Sequence, residues 1–472
     1  MGNAAGTTGS AILTKRESGL TRINNRSDVI VMPAVKKKYQ TTNTDLNLMY
    51  VTRKLYLLCL FLMCAGAALA QEYTLLLKGG HVVDPKNNID GVMDVAIKDD
   101  KIALVAKNID PKKATLVVDA KGLYVTPGLI DIHSHNFFGT QPDHYLSDGF
   151  EALPPDGFTF RVGVTTVVDA GGAGWKTFST FKRQTIEHSK TRVLSFLNIV
   201  GEGMRGGPYE QNLADMDSRM TAMVVRQNSE IVGIKVAHFS GTEWDPVDRA
   251  VEAGKIANVP VMIDFGGHVP PLPLRDLLLT HLRPGDIFTH AYARLTGRGP
   301  VMDDQGNPFP YVQEAIKRGI VFDVGHGGGS FMFSQAIPAI RQGFYPTTIS
   351  TDIHTASMNA GMKDQLNVMS KFVNLGMPLQ AVFKASTWSP ASVIHRDDLG
   401  HLTAGAVADV AVFSMLTGKY GFIDSKGYKF EGTKKLECEL TLRAGEVVYD
   451  LNGISKPSWT TDPNSAAFAN KK

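Results

Sequence analysis

At 472 residues, with 43% hydrophobic and 20% charged residues and 46 glycines, the chain has the composition of a globular protein rich in turns, which excludes a disordered or fibrous polypeptide. Its formal charge of +3 is small, and outside the N-terminal region the lysines and arginines are scattered rather than gathered into a stripe, so nucleic acid is not an expected partner. The length admits a barrel of about 250 residues and still leaves sequence for a second, small domain.

The first 70 residues carry targeting features. From Met49 the text runs M-Y-V-T-R-K, then an apolar stretch over 55–65, then A-L-A at 68–70 before Gln71. A charged start, an apolar middle and a small-residue end predict a signal peptide over 49–70, cleaved between Ala70 and Gln71, and a periplasmic or secreted product. The apolar stretch is shorter than the roughly 20 residues needed to cross a bilayer, so no stable membrane span is expected in the mature protein. Residues 1–48 then lie upstream of the signal, and Met49 is the expected start. Cys59 and Cys64 fall in the removed segment, which leaves Cys438 alone and no intrachain disulfide.

After Gln71 come short alternating runs, T-L-L-L-K, H-V-V-D, M-D-V-A-I-K, K-I-A-L-V-A and T-L-V-V-D-A, separated by turn formers, which predict strands of a small sheet over 71–122. Between 123 and 395 the texture changes to eight short, nearly all-apolar runs, at 124–131, 164–169, 193–198, 231–235, 259–264, 286–290, 320–324 and 347–352. Such runs mark strands buried on both faces of a parallel sheet. Segments 246–256 and 311–318 between them read as helices, and eight such units predict an α/β fold, a (β/α)8 TIM barrel whose chemistry sits at the C-terminal ends of its strands. The alternating texture returns over 396–455 in A-D-V-A-V-F, C-E-L-T-L-R-A-G and E-V-V-Y-D, so both ends of the mature chain are expected to build one small β-sandwich domain, with 456–472 as a tail.

The polar residues at the strand ends form a distinct inventory: His133 and His135 after the first run, Lys235 at the fourth, Asp264 at the fifth, His290 at the sixth and Asp352 at the eighth. Side chains on a strand alternate, so His-x-His turns both imidazoles to one face, and imidazole suits zinc and similar ions. Alone, H-x-H is a weak signal, because paired surface histidines are common. Here it ends an apolar strand that seven others follow, and a metal site becomes the expectation.

P-G-L-I-D-I-H-S-H, G-V-T-T-V-V-D, G-I-K and S-T-D-I-H together resemble the amidohydrolase superfamily, over nearly all of the chain after Gln71. The order G-I-K-V-A, V-P-V-M, G-D-I-F-T-H-A-Y and F-D-V-G-H-G-G-G-S-F is similar to its amidohydrolase/deacetylase branch, related to dihydroorotase. The resemblance implies a metal-bearing barrel beside a small β-sandwich. It makes His133 and His135 ligands of the more buried of two metals, Lys235 a carbamylated bridge between them, His290 the sixth-strand ligand, and Asp352 both ligand and acceptor of the proton from attacking water. An ordinary ammonium repels cations, whereas carbamylation turns lysine into an anionic oxygen ligand. Two zinc ions are the expected cofactors, with manganese or iron as alternatives.

One departure stands out: the family pattern usually ends its fifth strand in histidine, and this chain has Asp264. The alternatives are Asp264 as ligand, His268 folding back in its place, or a single-metal site. Arg205, His238, His326 and His354 lie just beyond strand ends and are candidates for substrate contact that could also be loop residues, and the glycines after His326 allow close backbone approach to a ligand. The reaction implied is hydrolysis of a small N-acyl, cyclic amide or ester substrate by metal-activated water. Nucleobase deamination and a non-catalytic scaffold are the competing readings, and the sequence leaves a homo-oligomer open.

Overall fold

The computed structural model describes residue 50 and residues 52–54, 71–139, 151–264, 271–462 and 465. The chain divides into two compact units, Met1–Leu69 and Ala70–Lys472; in the first, Tyr50 and residues 52–54 are helical. Most of the expected signal segment, with Cys59 and Cys64, lies outside the described residues, as do His268 and most of the tail. Among the described residues no helix is long and apolar enough to cross a membrane.

The second unit opens with β1 (Tyr73–Asp84), β2 (Ile89–Lys98), β3 (Lys101–Ala106), β4 (Ala114–Asp119) and β5 (Tyr124–Pro127). It continues with β6 (Leu129–Ser134), β7 (Val164–Gly174), β8 (Arg192–Asn198), β9 (Ile231–Ala237), β10 (Val261–Asp264), β11 (Ile287–Phe288) and β12 (Val321–Phe322), and ends with β13 (Val410–Ile423), β14 (Lys429–Arg443) and β15 (Glu446–Asp450). Strands from the two ends share one mixed sheet in the order β15-β14-β13-β5-β1-β2-β3, with β4 beside β1. The runs T-L-L-L-K and H-V-V-D, expected as separate strands, are one strand whose register against β2 shifts between Leu77 and Gly80, where Gly79 takes φ +72°. Alternate residues of the two ends, among them Leu75, Leu77, Val95, Ile97, Val410, Val412, Leu440 and Leu442, meet in one core.

β6 to β12 form a seven-stranded parallel sheet in chain order. Its all-apolar runs follow from two burials. Ile130, Val168, Leu194, Val232, Met262, Ile287 and Val321 pack on one another, whereas Leu129, Val167, Val193, Ile231, Val261, Phe288 and Phe322 share a core with residues of the surrounding helices such as Val247 and Ala250. The helix Asp245–Ala257 shows why those segments are helical. Proline stands in its first turn, Asp245 and Asp248 face the positive end of its dipole and Lys255 the negative end, and Asn258 closes it in the left-handed conformation.

Two runs differ from expectation. The stretch 124–131 divides at Gly128: Tyr124–Pro127 pairs with β1 and β13, and only Leu129–Ser134 joins the parallel sheet. The cause is local, since Gly128 N donates to Asp409 O at 2.9 Å and Leu129 N to Gly163 O at 2.9 Å, so successive amides serve different sheets. The run at 347–352 is not a regular strand, because Asp352 leaves extended geometry with φ +51°. It still bonds to both outer strands of the parallel sheet: Thr347 N donates to Phe322 O at 2.9 Å and Asp352 N to His133 O at 2.7 Å, with parallel bridges Thr348–Asp323 and Ser134–Ile353.

Candidate metal centre

The six residues expected from the sequence as ligands converge, five at the C-terminal ends of the parallel strands and Asp352 from the segment beside them. Lys235 Nζ lies 3.1 Å from His133 Nε2 and 3.4 Å from Asp264 Oδ2. Asp264 Oδ1 lies 3.1 Å from His290 Nε2, and Asp352 Oδ1 lies 2.9 Å from His135 Nε2 and 3.5 Å from His133 Nε2. Lys235 is fully buried, and Asp352, the most open of the six, exposes only 14% of its side chain. Among the described residues, His133, His290 and Asp352 offer ligand atoms that all lie within 4.8 Å of one another.

The hydrogen-bond pattern shows what this cluster is built to hold. His133 Nδ1 donates to Thr289 Oγ1 at 3.0 Å, because that hydroxyl spends its own proton on Asp323 Oδ2 at 2.7 Å. His290 Nδ1 donates to the Gly325 carbonyl at 2.5 Å. In a neutral imidazole the Nε2 lone pair of His290 then faces Asp264 Oδ1 at 3.1 Å, while that of His133 faces Lys235 Nζ at 3.1 Å and Asp352 Oδ1 at 3.5 Å. Two acceptors as close as His290 Nε2 and Asp264 Oδ1 repel unless a proton or a metal cation stands between them. Imidazole nitrogens with carboxylate oxygens are a donor set that zinc, manganese and iron accept, so the residues present fit a divalent metal.

Burial, reinforced by the Lys235 charge, pushes His133 well below its ordinary range and keeps it in the neutral form that ligates. At Asp264 burial favours the neutral acid, but His290 and Lys235 in their cationic forms outweigh it and hold the carboxyl well below the usual carboxylate range, a part that a bound metal would take over when His290 is neutral. His290 and Asp352 both take left-handed backbone, φ +58° and +51°, a conformation that concentrates at functional sites.

Several supporting residues were not anticipated from the sequence. Gly171, at φ +91°, makes room for Lys235: a Cβ there would sit 2.6 Å from Lys235 Cγ. Gly325 does the same for His290, whose Nδ1 would lie 2.8 Å from an added Cβ, and the Gly327 backbone lies directly against Asp352 Oδ2. The available signal was the glycines that follow the V-V-D-A and F-D-V runs, which permit close approach. Asp323 anchors the floor, accepting from Thr289 at 2.7 Å and from Thr348 and Ser350 at 2.6 Å, while its burial raises its pKa.

The four substrate candidates divide. His238 is half exposed, with Nδ1 2.9 Å from Glu210 Oε2 and Nε2 4.0 Å from Asp264 Oδ2. The His354 ring stands 6.1 Å from that of His135, with Nδ1 2.6 Å from Glu151 Oε2. Arg205, by contrast, donates to Glu202 at 2.9 Å and covers the Tyr209 ring at 4.1 Å, so its guanidinium is engaged within the protein. His326 is fully buried and stacked 4.5 Å from Phe331, with Nδ1 donating to Gly327 O at 2.9 Å and Nε2 accepting from Lys371 at 2.7 Å, so its ring is engaged within the protein.

Comparison with known proteins places this geometry in context. No family model matches the chain. A deacetylase of Agrobacterium fabrum is 35% identical over 337 residues, covering 70% of this chain and 80% of its own. Among solved structures, a dihydroorotase matches with TM-score 0.70 and 32% identity over 80% of this chain and 99% of its own. An adenine deaminase matches with TM-score 0.72 and 27% identity over 80% of this chain and all of its own.

Proposed function

The chain belongs to the amidohydrolase superfamily, as a metal-dependent hydrolase of the deacetylase or dihydroorotase type acting on carbon–nitrogen bonds other than peptide bonds, and from that premise we propose a site and a chemistry for it. The substrate is a small N-acyl or cyclic amide, with an ester as the alternative acyl group. The observation that carries the reading is the convergence of His133, His135, Lys235, Asp264, His290 and Asp352, with imidazole lone pairs turned toward carboxylates.

His133, His135 and Asp352 would hold one ion, and Asp264 and His290 a second, with Lys235, carbamylated, between them. Support for the bridge is its place, buried between His133 on one side and Asp264 on the other. Zinc is the first choice, and manganese or iron would also suit these donors. A divalent cation held there lowers the pKa of water toward about 7 and polarises the scissile carbonyl. Asp352 takes the proton from the attacking water and returns it to the leaving nitrogen, its backbone held by the bond from N to His133 O at 2.7 Å.

We read the parallel sheet with segment 347–353 as the eight staves of a (β/α)8 barrel spanning 123–395, and the mixed sheet as a small sandwich built from 71–122 and 396–455. The bonds of that segment to both outer strands support the first reading. The charged, apolar and small-residue sequence of 49–70 supports export with cleavage after Ala70.

Metal content of the purified protein, with and without bicarbonate, is the direct test, together with Lys235→Ala. That variant should lose metal and activity, and propionate should restore part of both; rescue by amines and not by acids would mean that the ammonium itself acts. The adenine deaminase likeness favours nucleobase deamination as a second reading, and ammonia release from adenine separates it from acetate release or ring opening.

A further inference from the structure

β9 ends at Ala237, and Ala237 lies opposite Asp264 in the register of β9 and β10. The next residue is His238. Resting on the reading of this centre as a metal site, we propose that His238 is itself a metal ligand, supplying an imidazole to the ion on the Asp264 side, with Glu210 as the carboxylate that orients it.

Three observations converge. The first is the ring's hydrogen bonding. His238 Nδ1 lies 2.9 Å from Glu210 Oε2, and a carboxylate only accepts, so the ring proton stands on Nδ1. Glu210 is a fixed partner: its side chain is 2% exposed, and its other oxygen accepts from Gly206 N at 2.9 Å. Histidines that ligate metals commonly donate their second ring N–H to a carboxylate in this way.

Distance is the second. His238 Nε2, the lone-pair nitrogen, faces Asp264 Oδ2 at 4.0 Å. Two donor atoms that bind one tetrahedral zinc at about 2.0–2.2 Å lie roughly 3.3–3.6 Å apart, so a shift of about half an ångström brings this pair to a shared ion. A direct hydrogen bond needs about 2.7–3.2 Å, so this spacing suits a shared ion better than a direct pairing. Asp264 already turns Oδ1 to His290 and Oδ2 to Lys235, so His238 is the third group around the same carboxylate.

The backbone is the third. His238 takes φ +53°, the same left-handed conformation as His290 at +58° and Asp352 at +51°. A non-glycine residue is held there at a cost in backbone strain, and such residues cluster at functional sites and ligand clamps. The conformation is secured on the loop side by Gln211 Nε2, which donates to the His238 carbonyl at 2.8 Å. Half exposed, the ring leaves this ion open toward solvent and hence toward a substrate carbonyl.

Titration of the full-length protein with Co²⁺ against a competing chelator tests the assignment, with the cobalt absorption spectrum as a second readout. Wild type should take up two ions. His238→Ala should bind the weaker ion at least about 100-fold less tightly with an altered spectrum, and Glu210→Gln should weaken it by about 10–100-fold, the usual cost of losing an orienting partner. His238→Ala binding both ions with wild-type affinity and spectrum overturns the assignment while leaving the metal centre intact. Equally, the same loss appearing in His268→Ala and not in His238→Ala gives the ligand role to His268. A wild-type protein that binds no cobalt removes the metal centre itself, and this inference with it.

Discussion

Lys371 Nζ lies 2.7 Å from His326 Nε2 and 2.7 Å from the Gly361 carbonyl, so a fully buried amine is held by two neutral acceptors. Burial pushes the Lys371 ammonium down to about 7, although Asp424 and Asp364 favour its charge. Since the folded pKa lies below the ordinary 10.5, the unfolded chain binds more protons between about pH 7 and 10.5, and stability rises with pH across that window. Below about pH 7 both states are protonated and the cost of the buried charge is fully present. Urea unfolding should therefore show wild type gaining roughly 1–2 kcal/mol from pH 7 to 8.5 relative to Lys371→Met. Equal pH dependence in the two proteins would remove Lys371 as the titrating group.

Asp352→Asn should leave metal content near normal and reduce turnover by about a hundred to ten thousand fold. The amide keeps an oxygen at the position now 2.9 Å from His135 Nε2 and 3.5 Å from His133 Nε2, and the backbone bond to His133 O is untouched. What is lost is the proton acceptor. Near-normal kcat with a matched substrate would show that another group is the base.

Gly171→Ala should cost both stability and metal. The residue sits at φ +91°, and the new methyl would lie 2.6 Å from Lys235 Cγ and 2.7 Å from Lys235 Cβ. Left-handed backbone alone costs an alanine about 1–2 kcal/mol. Gly122→Ala is the control, because its φ is +77° and its added Cβ would meet nothing within 4 Å. Thermal unfolding should fall in both variants, whereas metal content measured by mass spectrometry should fall only in Gly171→Ala. Full metal content in Gly171→Ala would show that Lys235 can shift without consequence.

The parallel strands were legible because burial on both faces removes polar residues from the run itself and pushes them to its end. For the same reason His133, Lys235, Asp264 and His290 could be named by position alone. Periodicity does not say which sheet a run joins, so Tyr124–Pro127 and Leu129–Ser134 read as one strand although their amides serve two. The run at 347–352 looked regular because its side chains are buried, yet Thr348, Ser350 and Thr351 turn their hydroxyls to Asp323 and Asp131, and Asp352 leaves extended geometry. The glycines that follow His326 do permit close approach, but the group approached is Asp352, and the ring points back to Lys371. That partner lies 45 positions away in sequence, on the helix Gln365–Leu375.

Asp264 is where the chain leaves the pattern of its family, and two substitutions there test the centre in opposite directions. Its carboxylate ends a buried strand and touches His290 and Lys235 at 3.1 and 3.4 Å, and their charges keep it ionised against its burial. Asp264→Ala removes an anionic donor from the more open ion, and equilibrium dialysis should show that ion lost while the one near His133 and Asp352 stays. Asp264→His keeps a donor at the strand end and removes one negative charge. A less anionic ligand set makes water easier to ionise, so the acidic limb of the pH–rate profile should move to lower pH with metal still bound. The sign matters: movement to higher pH in Asp264→His would mean that the carboxylate had been assisting ionisation as a proton acceptor. If Asp264→Ala keeps both its full metal content and an unchanged profile, Asp264 is no ligand, and His268 is the residue to substitute next.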